Sequence, residues 1–289
     1  MKHPEGQPVS HMSQKARTII VTGASSGIGA YCARALRDEG WRVLATARKP
    51  EDIAALNAAG LEGLYLDYRE PDSIAALFSE VMARTGGRLD ALYNNGAHAQ
   101  AGAVEDLPVE ALREQFEANF FGWHDLTRRV VPVMRGQGHG RIVHCSSILG
   151  LLPVKWRGAY ASSKHALEGL MLCLRAELEG SGIHVSLIEP GPIESRLAEH
   201  GLGWFEKNID WRNSVHRDAY QPQLARLRQG GVKSRHKLKP DAVHAALRHA
   251  LNNPRPRPHY LVTRPARLGA LAKRLLPASM LYRLLAGQA

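Results

Sequence analysis

The chain has 289 residues, 44% of them hydrophobic and 22% charged, the balance of a folded protein with enough mass for a sizeable core. No apolar run reaches about 18 residues, which excludes a membrane-spanning helix, and the polar start, residues 1–16, lacks the apolar stretch of a signal peptide and reads as a disordered leader. The net charge of +11 is concentrated, because residues 196–289 hold 18 Lys/Arg against 5 Asp/Glu while the rest of the chain is near balance; this fits either attraction to an anionic surface or a solvated face.

Cys32, Cys145 and Cys173 lie far apart in apolar-periodic segments, the pattern of reduced, buried thiols, so the expected location is the cytoplasm. The 14 histidines form no H-E-x-x-H or Cys/His cluster, and no metal site is expected.

Arg17 to Thr22 is a β-branched run ending at Gly23, followed by Ala24, Ser25, Ser26, Gly27, Ile28 and Gly29 and a helical pattern through Asp38. A strand, a glycine turn and a helix place backbone N–H groups and a helix N-terminus around a phosphate. The spacing is G-x-x-x-G-x-G rather than G-x-G-x-x-G. The same residues match G-x-S-x-G, the nucleophile elbow of serine hydrolases, which leaves Ser25 as an alternative nucleophile. Position argues against it, since the strand and loop of an oxyanion hole have no room upstream.

Trp41 to Thr46 reads as the second strand, ending at Arg48. An acidic residue there would hold a ribose 2′-hydroxyl, whereas an arginine accommodates a 2′-phosphate, which favours NADP(H) over NAD(H). Leu61 to Leu66 is a third strand ending at Asp67, Pro71 to Arg84 a helix, and Leu89 to Tyr93 a fourth strand running into Asn94, Asn95 and Gly96. Pro108 to Arg135 is read as one long helix carrying Asn119. Arg141 to Cys145 is a fifth strand, followed by Ser146, Ser147 and an apolar loop. A helix bearing Tyr160 and Lys164 comes next, then a sixth strand, Ile183 to Glu189, closed by Pro190, Gly191 and Pro192.

This alternation predicts an α/β fold: one doubly wound, Rossmann-like domain over 17–263, with a parallel sheet and helices on both faces. Ligands of such sheets lie beyond the carboxyl ends of the strands, where all the marked residues fall. Tyr160 and Lys164, four apart on a helix, share one face, and an ammonium near a phenol favours the phenolate. The pair therefore reads as an acid/base unit.

In its motifs and their order the chain resembles the short-chain dehydrogenase/reductase family over roughly Arg17 to Val262. T-G-x-x-x-G-x-G spans Thr22 to Gly29, an N-N-x-G-type segment spans Asn94 to Ala97, and Asn119, Ser147, Y-x-x-x-K and Pro190-Gly191 follow in register. The resemblance implies hydride transfer between a nicotinamide and an alcohol or carbonyl. It implies Tyr160 as general acid or base, Lys164 lowering its pKa and holding the nicotinamide ribose, Ser147 on the substrate oxygen, and Asn119 keeping a water in a proton relay. Gly23, Ser25, Ser26, Gly27, Ile28, Gly29, Arg48, Asp67, Asn94, Gly96, Pro190, Gly191, Ile193 and Ser195 would contact the cofactor. The segment reads N-N-G-A where the family usually has N-N-A-G, and Ser195 stands where a threonine is common. A homodimer or homotetramer is implied as well. A non-catalytic NADP(H)-binding scaffold is the remaining alternative.

Residues 196–239 read as a lid over the substrate. With Leu149, Leu152 and Trp156, its Trp204 and Trp211 suit a bulky apolar carbonyl or alcohol such as a steroid, a retinoid or a long-chain aldehyde; packing of the lid is the competing use. The tail, 264–289, reads as two short basic amphipathic helices split at Pro277, suited either to peripheral contact with an anionic membrane or to covering the lid and a subunit partner. Nucleic acid is not expected, because the basic residues alternate with leucine rather than with stacking aromatics.

Overall fold

The computed structural model describes residues 16–228 and 237–287; the expected leader, except for Ala16, and residues 229–236 of the expected lid lie outside the described residues. The strands are β1 (Thr18–Val21), β2 (Arg42–Ala47), β3 (Glu62–Tyr65), β4 (Ala91–Asn94), β5 (Gly140–Cys145), β6 (Ile183–Pro190) and β7 (His259–Val262). They form one parallel sheet in the order β3-β2-β1-β4-β5-β6-β7. β1, β4 and most of β2 and β5 are apolar and buried along their length because helices cover both faces of the sheet. The chain winds outward from β1 to β3, then returns past β1 to build β4 to β7. β1 and β4 thus flank the switch point, where a crevice opens at their carboxyl ends.

The covering helices are α1 (Gly27–Asp38), α2 (Pro50–Ala58), α3 (Pro71–Thr85), α4 (Val109–Phe116), α5 (Gly122–Gln137), α6 (Gly158–Glu177) and α9 (Asp241–Asn252). α1 packs on α9, and α3 on α5. Leu36, Leu44, Leu92, Trp123, Leu126 and Leu247 are completely buried in the core between helices and sheet. Each such side chain contributes about 1.5–3 kcal/mol.

One sequence expectation is refined and another corrected. The long helix expected at Pro108 to Arg135 is present and continuous through α4 and α5, but it contains one unexpected turn of π-helix at Glu117–Phe121. The wider turn adds a residue without breaking the helix, a signal that hydrophobic period does not carry. Cys173 is exposed, on the solvent side of α6, whereas Cys32 and Cys145 are buried.

Within the expected lid, α7 (Leu197–Asn208) and α8 (Arg217–Arg228) pack against each other and against the loop after β4. The tail forms α10 (Arg264–Leu275) and α11 (Ala278–Ala286). No helix among the described residues is long and apolar enough to cross a membrane.

Candidate active site

The glycine turn sits between β1 and α1, against the turn that follows β4. Gly23 has φ +62°, and a Cβ there would overlap the Gly96 Cα. A Cβ on Gly29 would overlap the Gly23 carbonyl oxygen and approach Asn95 Nδ2 at 2.6 Å. Gly27 has φ +55°, with Ser195 beside it. These three positions need glycine for conformation and close approach. Ser26 is the N-cap of α1 and makes no side-chain cap bond, Ser25 is exposed, and Ile28 is half-buried against the core. No hydrogen bond joins Ser25 to a histidine among the described residues, so the hydrolase alternative gains no support.

Asn95, which the sequence reading gave no role, ties the glycine turn. Its Nδ2 donates to the carbonyls of Thr22 (3.1 Å) and Gly23 (3.3 Å), and the backbone N–H groups of Asn95 and Gly96 donate to Thr22 Oγ1. Asn94, expected at the cofactor, is fully buried and committed elsewhere. Its Oδ1 accepts from Tyr68 Oη at 2.6 Å and its Nδ2 donates to Thr127 Oγ1 at 3.1 Å, with His144 Nδ1 at 3.3 Å. The alternation of strand side chains turns Asn94 inward and Asn95 toward the glycine turn.

At the end of β2, Arg48 is 57% exposed, and its only ionic contact among the described residues is a 4.0 Å approach to Asp67. Asp67, just after β3, is gripped instead by Arg69 at 3.0 and 2.5 Å. Burial pushes its carboxyl up, but Arg69 outweighs that and the net shift is downward. On the far side of the crevice, Pro190 ends β6, Ile193 forms a bridge with Leu238, and a Cβ on Gly191 would overlap Thr263 Oγ1.

Tyr160 and Lys164 lie on one face of α6 and are both buried. Lys164 Nζ donates to the Cys145 carbonyl at 2.8 Å and sits 4.1 Å over the Trp123 ring, against 5.8 Å from the Tyr160 ring centroid. Burial lowers Lys164 to about 8. Burial also raises the Tyr160 phenol, while Ser147 and Arg157 pull it back. This corrects the expectation from spacing: Lys164 faces the sheet and the indole, and the net shift of Tyr160 is upward. Ser147 follows β5 as N-cap of a short 3₁₀ turn, its Oγ accepting from Leu149 N at 3.1 Å.

Asn119 lies in the π turn, fully buried. Its Oδ1 accepts from His98 N (3.1 Å) and its Nδ2 donates to the His98 carbonyl (2.9 Å). Gln115, one turn earlier, likewise takes Gln100 N and donates to the His98 carbonyl. The loop after β4 is thereby fixed beside α6.

The expected substrate residues do not converge. Trp156 and Trp211 join Phe205, Ile209 and Tyr220 in a cluster that packs the lid helices. Trp156 also borders an open hollow of about 480 Å³ whose lining includes none of Ser147, Tyr160 and Lys164. Leu152 turns the other way, into a cluster with Leu281 and Leu285 of α11. Leu149 stays on the 3₁₀ turn beside Ser147, and Trp204 stacks on the His98 ring at 4.5 Å.

Sequence reasoning missed Trp123, whose Nε1 donates to the Gly96 carbonyl at 2.8 Å, although its position four residues after Asn119 was a usable signal. It also missed a buried acidic group behind Lys164. Glu168, one turn along α6, gathers with Glu189 and His259 so that their ligating atoms lie within 4.8 Å of one another. His259 Nδ1 pairs with Glu189 Oε1 at 2.5 Å, while neither Glu168 oxygen has a hydrogen-bond partner among the described residues. Burial and Glu189 raise Glu168 to about 7.

Comparison with known proteins agrees with this geometry. The model of the short chain dehydrogenase family matches residues 17–202. An uncharacterized oxidoreductase of Escherichia coli, YbbO, is 38% identical over 271 residues, covering 94% of each chain. The crystal structure of a short-chain dehydrogenase from Streptomyces avermitilis superimposes with a TM-score of 0.75 at 32% identity, over 89% of this chain and 92% of that one. A variant of actinorhodin polyketide ketoreductase, solved with NADPH, gives a TM-score of 0.67 at 30% identity, over 83% of this chain and 92% of that one. A glycine turn at the sheet's switch point, a Y-x-x-x-K helix beside it and relatives along nearly the whole chain converge on one assignment: this protein belongs to the short-chain dehydrogenase/reductase family of oxidoreductases.

Proposed function

We propose that the protein is an NADP(H)-dependent oxidoreductase that interconverts an alcohol and a carbonyl on a bulky apolar substrate, with Tyr160 as the proton-transferring group. The observation that carries this reading is the meeting of Ser147, Tyr160 and Lys164 with the glycine turn at one edge of the sheet. Such a turn suits a pyrophosphate, because any Cβ at Gly23 or Gly29 would collide with the backbone or with Asn95. The nicotinamide supplies the hydride chemistry when bound, and the protein supplies orientation and a proton.

In this reading Ser147 Oγ donates to the substrate oxygen where negative charge develops, and the Tyr160 hydroxyl delivers the proton to that oxygen. Burial raises the phenol pKa, so Tyr160 is protonated at neutral pH and can act as the acid when the carbonyl is reduced. Lys164, one turn along α6 from Tyr160, would keep positive charge in the site and hold the nicotinamide ribose. Asn119 fixes the His98 loop and the π turn behind the lysine, where a relay water would bind.

Arg48 supports NADP(H): it stands exposed after β2 with its charge nearly free, and the ketoreductase relative was solved with NADPH. Leu149, on the turn capped by Ser147, supports an apolar contact beside the reacting oxygen. Titration with NADPH and NADH, followed by energy transfer from the tryptophans, tests the reading. NADPH should bind more tightly by about tenfold or more, and Arg48→Ala should bring its affinity close to that of NADH. Absence of binding of either nucleotide removes the reading. Tyr160→Phe should bind NADPH normally and lose turnover; a wild type that binds without reducing any apolar aldehyde or ketone would favour the scaffold alternative.

A further inference from the structure

The two C-terminal helices present two faces with different chemistry. The inner face is occupied: Ala266 is fully buried, and Gly269 lies against Leu152 and Ile148. Leu281 and Leu285 enclose Leu152, and Lys273 Nζ donates to the Leu151 carbonyl at 2.6 Å. The hairpin is thus fastened to the turn that begins at Ser147.

The outer face is apolar and exposed. Leu268, Leu271 and Leu275, at i, i+3 and i+7, are 66%, 51% and 68% exposed along α10, and Met280, Tyr282 and Leu284 on α11 are each more than half exposed. Six of the 13 large hydrophobic side chains that the described residues expose therefore belong to this one hairpin. Scattered exposed apolar residues are ordinary, but a contiguous stripe rimmed by polar residues marks an interaction surface. The rim is basic: Arg264, Arg267, Arg274 and Arg283 carry four positive charges, with Lys273 turned to the inner face, and the segment contains no Asp or Glu.

We infer that this face is a docking surface for an anionic lipid bilayer, with the leucine stripe inserted at the level of the headgroups and the arginines on lipid phosphates. Charge decides against a second copy of this chain, because an isologous contact would set four arginines against four with no counter-charge from the segment. The composition decides against nucleic acid, since the side chains between the cations are leucines rather than stacking aromatics. An amphipathic helix with a leucine face, basic flanks and a tyrosine at the boundary is the chemistry that lies in a membrane interface. Docking here would also hold the Ser147 turn close to the lipid surface, a source of apolar carbonyls. That consequence rests on the function proposed above, while the docking itself does not.

The experiment is flotation of the full-length protein with vesicles of phosphatidylcholine alone and of phosphatidylcholine with phosphatidylglycerol, with light scattering of the protein alone. The wild type should float only with the anionic vesicles, and salt should weaken it. Arg264, Arg267 and Arg274 all changed to Gln should lose about a hundredfold in partitioning. Leu268, Leu271 and Leu275 all changed to Ser should not float, yet keep the wild-type melting temperature and NADPH titration. Failure of the wild type to float overturns the inference. So does an oligomer that the leucine variant converts to a smaller species, which would assign the face to a second copy. The nucleotide titration is read separately, so a failed cofactor assignment is distinguishable from failed docking.

Discussion

The ammonium of Lys164 lies 4.1 Å over the indole of Trp123, and the same indole donates its Nε1–H to the Gly96 carbonyl at 2.8 Å. One side chain of α5 therefore links the lysine of α6 to the turn that closes against Gly23. His144 stacks on Trp123 at a centroid distance of 5.8 Å, so the linkage also reaches β5.

Trp123→Phe tests this linkage. Phenylalanine keeps an aromatic face under Lys164 but removes the N–H, leaving the half-buried Gly96 carbonyl without that donor. The unsatisfied oxygen and the lost volume should cost about 2–4 kcal/mol in denaturant unfolding. NADPH affinity should fall by about tenfold as the Gly23–Gly96 contact loosens. Equal loss of stability with unchanged NADPH binding would show that Trp123 only fills space.

Gly29→Ala addresses the cradle directly. The added methyl would overlap the Gly23 carbonyl and press on Asn95 Nδ2, both held by neighbouring hydrogen bonds. The turn must open to admit it, at about 1–3 kcal/mol. Nucleotide binding should be reduced more than melting temperature, a comparison that isothermal titration and calorimetry provide.

What the sequence reveals and what it hides follow the range of the interactions. The α/β alternation, the glycine turn and the Tyr160–Lys164 pair are legible because each depends on residues within one turn or one strand of each other. The direction of the Lys164 side chain is not, because it is set by the Cys145 carbonyl and the Trp123 ring on other elements. Glu168, Glu189 and His259 come from α6, β6 and β7 and meet only once the sheet is assembled. Leu152 and Trp156 are four residues apart in one apolar loop, yet Leu152 packs with the tail and Trp156 with the lid, a divergence set by partners distant in the chain. The π turn is hidden for a different reason: one extra residue in a helix leaves propensity and pattern almost unchanged.

The activity should depend on pH through two groups displaced in opposite directions. Burial holds Tyr160 above its ordinary pKa, so its acid form persists across the neutral range. Lys164 is lowered to about 8 by the same cause, so its positive charge is present below that pH and is lost above it. Reduction measured at saturating cofactor and substrate should therefore be flat near neutrality and fall about tenfold per pH unit well above 8. Lys164→Arg should abolish that alkaline fall while lowering the plateau, since guanidinium keeps its charge but cannot reproduce the ammonium's fit under Cys145.

Glu168 links stability to pH with the opposite sign from a salt-bridged carboxylate. Its folded pKa is raised to about 7 by burial and by Glu189, above the ordinary 4.5, so the folded state holds its proton more tightly than the unfolded chain. Stability is then highest below the unfolded pKa and declines as pH rises through about 7, where the charge is forced into the protein. His259 adds to the same slope, because its pairing with Glu189 raises its own pKa and that stabilisation too is lost as pH rises through the raised value. Lys164 on α6, Ser146 after β5, Glu189 on β6 and His259 on β7 all act on Glu168, and Arg175 acts on His259; the first, second and fourth favour the charged form of Glu168 without overcoming burial. Glu168→Gln removes the carboxylate and keeps the shape. The variant should be more stable than the wild type at pH 8 by on the order of 1 kcal/mol, with the difference vanishing toward pH 5, in urea unfolding at both values. A variant less stable than the wild type at pH 8 would mean that the Glu168 charge is held in place by Lys164 and contributes to the fold.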